Sequence, residues 1–389
     1  MKLLQRIVDV FSSLWLSALL LSLLALLTWL GTLEQVDHGL YEVQKKYFES
    51  FFLFHEVGPI SIPLPGANLV MWLLLVNIVI GGVVRMRKTK ATIGVLITHL
   101  GIILLLVAGF VKNYFSTDGH ITLFEGESAD YYQSYYRWEL AILEEQADGT
   151  VAEHILSHDQ VAACIGAEGR VFRSSTLPFE VRLTHFLKNS RPMPKGPMFE
   201  VKVPVADGLF LSELEPEPEA EANVAGVCVT VTGRDGSQQS GLLWGVERAP
   251  LTVRMAGKRY GLTLRHERYP MPFEVQLLDF IKEDHPRMAM AKAFESDVKV
   301  REDGSERTVK IEMNAPLRDR GLVLYQASWG PQNAGPQTPL FSTLSVVSNP
   351  ADQYPFYACI VIAVGMLLHF LMKLARHLRS QQSKREAVS

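Results

Sequence analysis

The sequence predicts an integral membrane protein with four α-helical spans in a 3+1 arrangement. A large, mainly β extracytoplasmic domain is inserted between spans three and four. Three observations carry this reading. Four stretches run apolar for about 20 residues, the length needed to cross a hydrocarbon core of roughly 30 Å. The long region before the last of them is polar and alternates with the period of strands. Basic residues collect at the span ends that a four-span path puts on one side. Composition agrees: 48% of the 389 residues are hydrophobic and the formal net charge is −3, a mixture of lipid-embedded and soluble parts. A charge so near neutral does not point to nucleic acid.

Segment 1–33 is read as a cytoplasmic N-terminus and the first span, with the apolar run from Val10 to Leu33 bounded by Asp9 and Glu34. A cleaved signal peptide is disfavoured there, because the run is too long and TWLGTLEQ lacks a small-x-small cleavage site. Segment 34–66 is an outer loop. Its YEVQKKYFESFFLFHE stretch mixes rings with charges, as in a helix anchored at headgroup level. Segment 67–112 holds the second and third spans, Asn68–Val84 and Ala91–Val111, joined as a hairpin by the 85–90 loop. Segment 355–389 is the fourth span, Pro355–Met372, and a basic tail. Lys2 and Arg6, then Arg85, Arg87, Lys88 and Lys90, then Lys373, Arg376, Arg379, Lys384 and Arg385 fall on one side, which the positive-inside rule makes cytoplasmic.

Segment 113–354 is long enough for one large or two small domains. FEVRL and FEVQL alternate apolar and charged residues, VKVREDGSERTVKI reads as a hairpin turning at Asp303-Gly304, and GLVLYQASW and FSTLSVV are further strands. LPFEVRLTHFLK (177–188) and MPFEVQLLDFIK (271–282) share Pro, Phe, Glu, Val, Leu, Phe and Lys at equal spacing. Each is followed by V-K-V, at Val201 and Val298, and later by Asp-Gly-Ser, at Asp235 and Asp303. The echo suggests two related β units. The acidic ELEPEPEAEANVAG stretch interrupts the first as a solvated loop.

No nucleophile elbow, HExxH or Walker loop is present, and Cys164, Cys228 and Cys359 form no C-x-x-C pair. Cys164 and Cys228 face an oxidising compartment under this topology; a disulfide between them and two buried free thiols are both open readings. The lone ionisable side chain of the third span is His99, roughly 12 Å by helix rise from Ala91. Neutral imidazole has one donor and one acceptor, and leaving them unpaired in hydrocarbon is costly. Either a neighbouring helix takes the ring, or His99 binds a metal, of which haem iron is the best match to imidazole in an apolar slot. His369, four residues before Lys373, lies within reach of interfacial water and is a weaker haem-ligand candidate. His120, His154, His158, His185, His266 and His285 are scattered through polar sequence and have no paired spacing.

The pattern resembles the ResB family of System II cytochrome c maturation. LTWLGT, YFESFFLF, ITHLGIILLLVAGF leading into GHITLFEGES, MPFEVQLLDFIKED, AFESDVKV, and MNAPLRDRGLVLYQASWG with LSVVSNP carry the resemblance, in that order, across most of the chain. The resemblance implies a bacterial inner (cytoplasmic) membrane location, with the large domain on the outer or periplasmic face. It implies a partner of the ResC/CcsA type, whose tryptophan-rich segment handles haem, and a client, apocytochrome c, whose C-x-x-C-H cysteines receive it. It also implies that His99 is an axial ligand to haem b, with the facing ligand from the partner. The six tryptophans here do not cluster, so the haem-presenting segment is not in this chain.

The sequence is therefore read as a subunit of a membrane cytochrome c synthase (haem lyase) complex, non-catalytic or co-catalytic, that binds haem in the bilayer and helps deliver it outward. Two other readings stand beside it: a cofactor-free membrane scaffold, and a b-type electron-transfer subunit. The second would want several histidines at matched depths, and His99 and His369 are at unequal ones.

Overall fold

The computed structural model describes residues 2–146, 148–196, 201–284, 291–331 and 338–386. The chain divides into two compact units, one made of residues 1–116 with 349–389, the other of Thr117–Ser348.

The first unit is helical. Helices α1 (Lys2–Phe11), α2 (Leu14–Val43), α3 (Ala67–Asn77) and α4 (Ile93–Phe115) precede the β unit; a short α5 (His158–Ala162) lies inside it, and α6 (Tyr354–Glu386) follows. Four helical segments are long and apolar enough to cross a membrane: Leu14–Glu49, Ala67–Val84, Ile93–Phe115 and Tyr354–Gln382. Large apolar side chains such as Leu21, Trp29, Leu33, Leu367 and Phe370 are exposed along them. Hydroxyls on these helices bond their own backbone, Thr28 to the Leu24 carbonyl and Thr32 to the Thr28 carbonyl, both at 2.8 Å.

Two boundaries differ from expectation. The first apolar run does not begin a helix at Val10: the chain breaks at Ser12-Ser13, and Ser13 caps α2 by accepting from the Trp15 amide. The stretch expected as an interfacial helix is helical only to Glu49. It turns at Gly39 (φ 73°), widens into a π-helical segment Gln44–Glu49, and then enters a hairpin of β1 (Phe52–Val57) and β2 (Ile60–Pro65).

Helices α4 and α6 pack antiparallel and close. A Cβ on Gly94 would lie 2.6 Å from the His369 backbone nitrogen, one on Gly101 2.7 Å from Ile362, and one on Gly365 2.6 Å from the Thr98 backbone nitrogen. Small residues at these positions let two backbones approach where no hydrophobic force drives helices together.

The second unit is antiparallel β. Its strands are β3 (Thr117–Phe124), β4 (Ser128–Glu145), β5 (Val151–Leu156), β6 (Arg170–Arg173), β7 (Phe179–Leu187), β8 (Ser190–Pro194), β9 (Leu209–Glu213), β10 (Gly226–Gly233), β11 (Gln238–Trp244), β12 (Leu251–Met255), β13 (Lys258–Asp284), β14 (Ala291–Glu302), β15 (Ser305–Glu312), β16 (Leu317–Asp319), β17 (Leu322–Gly330) and β18 (Phe341–Ser348). The large sheet runs β15-β14-β13-β4-β3-β18-β17-β16, with β12 on β13 and β5 on β4; a smaller sheet runs β11-β10-β7-β6.

The two echoed segments build two separate cores. Phe179, Val181 and Leu183 of β7 pack with Val227, Val229 and Val231 of β10 against Leu140, Ile142, Leu262 and Leu264. Phe273, Val275 and Leu277 of β13 pack with Val298, Val300, Ile311, Leu324, Leu344 and Val346. The long strands β4 and β13 run through both cores and tie them together, helped by Arg265 donating to the buried Glu139 at 2.8 Å. The Asp303-Gly304 turn forms, with φ of 46° and 80° as a primed hairpin turn requires. The echo stops at V-K-V: Val298–Val300 lies in β14, whereas Val201–Val203 is irregular and runs into Pro204, which has no amide to give a ladder.

Leu262 is fully buried where β13 meets the smaller sheet. Truncation to alanine is expected to cost about 2–5 kcal/mol. Denaturant unfolding of the full chain in detergent, followed by near-ultraviolet circular dichroism, measures it.

Candidate functional site

The site is built from α4 and the segment that faces it. Residues Ile78–Val84 continue α3 as a π-helical turn, closed by the Arg85 amide bonding the Ile80 carbonyl. The end of such a segment leaves carbonyls without intrahelical partners. The Gly82 carbonyl is taken by His99, whose Nδ1 lies 2.8 Å away. A carbonyl only accepts, so Nδ1 carries the proton, and in the neutral ring Nε2 then presents a lone pair. Among the described residues Nε2 has no hydrogen-bond partner, and the ring is half-buried. Ligating histidines are held this way, one nitrogen oriented by a carbonyl and the other left for the metal.

The glycines are required by contact. A Cβ on Gly82 would sit 2.8 Å from His99 Nδ1, and one on Gly81 would sit 3.1 Å from the Ser12 carbonyl oxygen. Buried Asn77 anchors the same turn. Its amide donates to the Phe11 carbonyl at 2.9 Å and the Ser13 carbonyl at 3.2 Å, and its oxygen accepts from the Ser17 hydroxyl at 2.6 Å. Carbonyls freed at the Ser12-Ser13 break are thereby satisfied without water, an answer the sequence signals only as a lone amide in an apolar run.

Below His99, a cleft of about 550 Å³ is lined by Lys88, Thr89, Lys90, Thr92, Ile93, Leu96 and Met372. Leu96 and Thr92 precede His99 by one and two turns on the same face of α4. The cleft thus combines apolar walls with two ammonium groups at its rim. His369 is placed differently. Its backbone packs on Gly94, on the α6-facing stripe of α4, and His99 projects about 140° around the helix from Gly94 at 3.6 residues per turn. The His369 Nδ1 is buried without a partner.

A second polar group holds the start of the β1–β2 hairpin. Tyr47 is fully buried, not at a surface; its hydroxyl donates to Glu34 Oε2 at 2.5 Å and lies 2.6 Å from His55 Nδ1, while Lys46 bonds Glu34 Oε1 at 2.6 Å. Elsewhere, His158 Nδ1 accepts from the Trp138 amide at 2.9 Å, and His154 Nε2 lies 3.5 Å from Glu144. His285 falls outside the described residues. No group of three metal-ligating side chains gathers among the described residues.

Cys164 and Cys228 are free thiols. Cys164 packs in the first core with Val227 and Val229, while Cys228, between those valines on β10, points to the other face of its strand. Burial raises both thiol pKa values, that of Cys228 to about 11.

Four helices of membrane-crossing length among the described residues and a mainly β unit are the features of a membrane protein, and His99 lies among its helices with one ring nitrogen held by a carbonyl. The chain matches the ResB-like family over residues 252–339, the stretch from β12 to just before β18, and that family is linked to cytochrome c biogenesis. This agrees with the resemblance drawn from the sequence. No curated protein matches the chain.

Neither Cys164 nor Cys228 is expected to react with a maleimide at pH 8 in the folded chain, and both are expected to react after denaturation. Mass spectrometry on a Cys359→Ser background counts the labels.

Proposed function

We propose that this chain is the haem-holding subunit of a membrane cytochrome c synthase complex. The single observation that supports it best is His99: Nδ1–H is held by the Gly82 carbonyl and Nε2 is left without a partner in an apolar surround. A lone pair kept there without a ligand would cost about 1–3 kcal/mol. Haem b is a large apolar plate with two propionates, and imidazole is its common axial ligand. The 550 Å³ cleft one turn away suits such an amphiphile: Ile93, Leu96 and Met372 meet the plate, and Lys88 and Lys90 meet the carboxylates.

Under this reading the four long helices span the bacterial inner membrane, with the basic 85–90 loop and tail inside and the β unit on the periplasmic face. The chain's own residues then do three things. Lys88 and Lys90 collect the anionic end of the cargo at the cytoplasmic face. His99 binds the iron, with orientation fixed by Gly82. The π-helical turn and Asn77 keep that imidazole from rotating away. A ResC/CcsA-type partner supplies the facing ligand and the tryptophan-rich segment, and apocytochrome c is the acceptor. Thioether formation belongs to the complex. An electron-transfer role is less well served, since His99 and His369 project from and pack on different faces of α4.

His99→Gly is expected to abolish the haem absorption that copurifies with the complex, and added imidazole to restore part of it. Gly82→Val is expected to remove the same absorption without imidazole rescue, because the new side chain occupies the ring's place. Unchanged spectra in both variants would contradict the assignment. Replacing Lys88 and Lys90 by Gln is expected to weaken haem uptake by about threefold each, as for exposed ion pairs, with the effect fading at high salt.

A further inference from the structure

We propose that the β unit carries a metal site of its own, formed by His120 and His266, which takes one monovalent copper ion. This site is independent of the haem reading.

The two histidines are far apart in sequence and meet at the waist between the two β cores. His120 lies on β3, where it pairs with Gln133 of β4. His266 lies on β13 opposite Trp138 of β4. Between those two positions the β4–β13 register slips, and Ser134–Arg137 bulges out of the ladder. The bulge is supported: buried Ser134 accepts from the Tyr136 amide at 3.3 Å and the Arg137 amide at 3.2 Å. Bulges of this kind re-aim side chains and recur beside functional sites. Here the result is two imidazoles with ring centres 6.2 Å apart and planes at 78°.

The nitrogen inventory points to an ion. Nδ1 of His120 and Nδ1 of His266 are both buried without a hydrogen-bond partner. A buried imidazole nitrogen that nothing meets carries an uncompensated desolvation cost. A ring-centre separation of 6.2 Å is short enough for one ion to reach both rings through metal–nitrogen bonds of about 2.0 Å.

The surroundings hold the rings still. Trp138 stacks on His266 with centroids 3.9 Å apart, and Tyr135 stacks on His120 at 4.8 Å. Burial keeps both imidazoles neutral at physiological pH, the state in which they ligate; the pKa of His266 falls to about 4. No third ligating side chain joins them among the described residues. Zinc in a structural site asks for four ligands, whereas two imidazoles flanked by aromatic rings suit a monovalent ion of low coordination number.

The test uses the purified full chain in detergent, stripped with a chelator. It is titrated with ascorbate-reduced copper against a chromophoric Cu(I) competitor, then with zinc. The expected result is one Cu(I) per chain, with an X-ray absorption first shell of nitrogen at about 2.0 Å. That ion is expected to be lost in His266→Phe and in His120→Phe, which keep an aromatic ring for Trp138 and Tyr135 to stack on. Near-ultraviolet circular dichroism confirms that the variants are folded. If a variant fails to fold, the absorption edge of the unsubstituted chain still decides. No ion above the competitor, a sulfur first shell from the cysteines, retention of the ion in either folded variant, or preferential uptake of zinc would each overturn the proposal.

Discussion

One hydrogen bond organises the helical unit: His99 Nδ1–H to the carbonyl of Gly82. It exists because α3 ends in a π-helical turn whose last carbonyls lack intrahelical partners, and because two glycines let neighbouring segments come into contact there. Gly81 receives the backbone at the Ser12 break, and Gly82 receives the imidazole. Asn77, one residue before the turn, binds the carbonyls exposed by that break. Three helices are thereby locked by backbone contacts, with no charge placed in the apolar region. The bond uses one of the two ring nitrogens and leaves Nε2 without a hydrogen-bond partner among the described residues.

The sequence posed His99 as either a ring bonded to a neighbouring helix or an iron ligand. The structure bears out the first: the ring bonds the Gly82 carbonyl. Neutral imidazole has two nitrogens, and the bond that answers the first question fixes the tautomer needed for the second. The cleft beside it was not foreseen. Lys88 and Lys90 look in sequence like topology signals, and only the folding of the 85–90 loop against α4 and Met372 turns them into the rim of a cavity.

Much of the β unit was legible because period-2 alternation reports burial directly. Phe179, Val181 and Leu183, like Phe273, Val275 and Leu277, face cores as their spacing predicts. The Asp303-Gly304 turn was legible because few residue pairs accept positive φ at both positions. What failed has a common physical cause: non-local contact overrode local composition. Tyr47 reads as an interfacial ring, yet Glu34 and His55 draw its hydroxyl into a buried cluster. The break at Ser12-Ser13 is stabilised by Asn77 from another helix. His120 and His266 share no motif, and a bulge in β4 opposite β13 lies between the strand positions where they meet.

The central claim is that iron bonds Nε2 of His99, and changing the ligand atom tests it more directly than removing it. His99→Cys in the assembled complex keeps a coordinating side chain at the same helical position but replaces nitrogen by sulfur. Optical and electron paramagnetic resonance spectra of the copurified haem should then change from imidazole-ligated to thiolate-ligated character. A haem that keeps its histidine-ligated spectrum in that variant would show that its iron is held elsewhere.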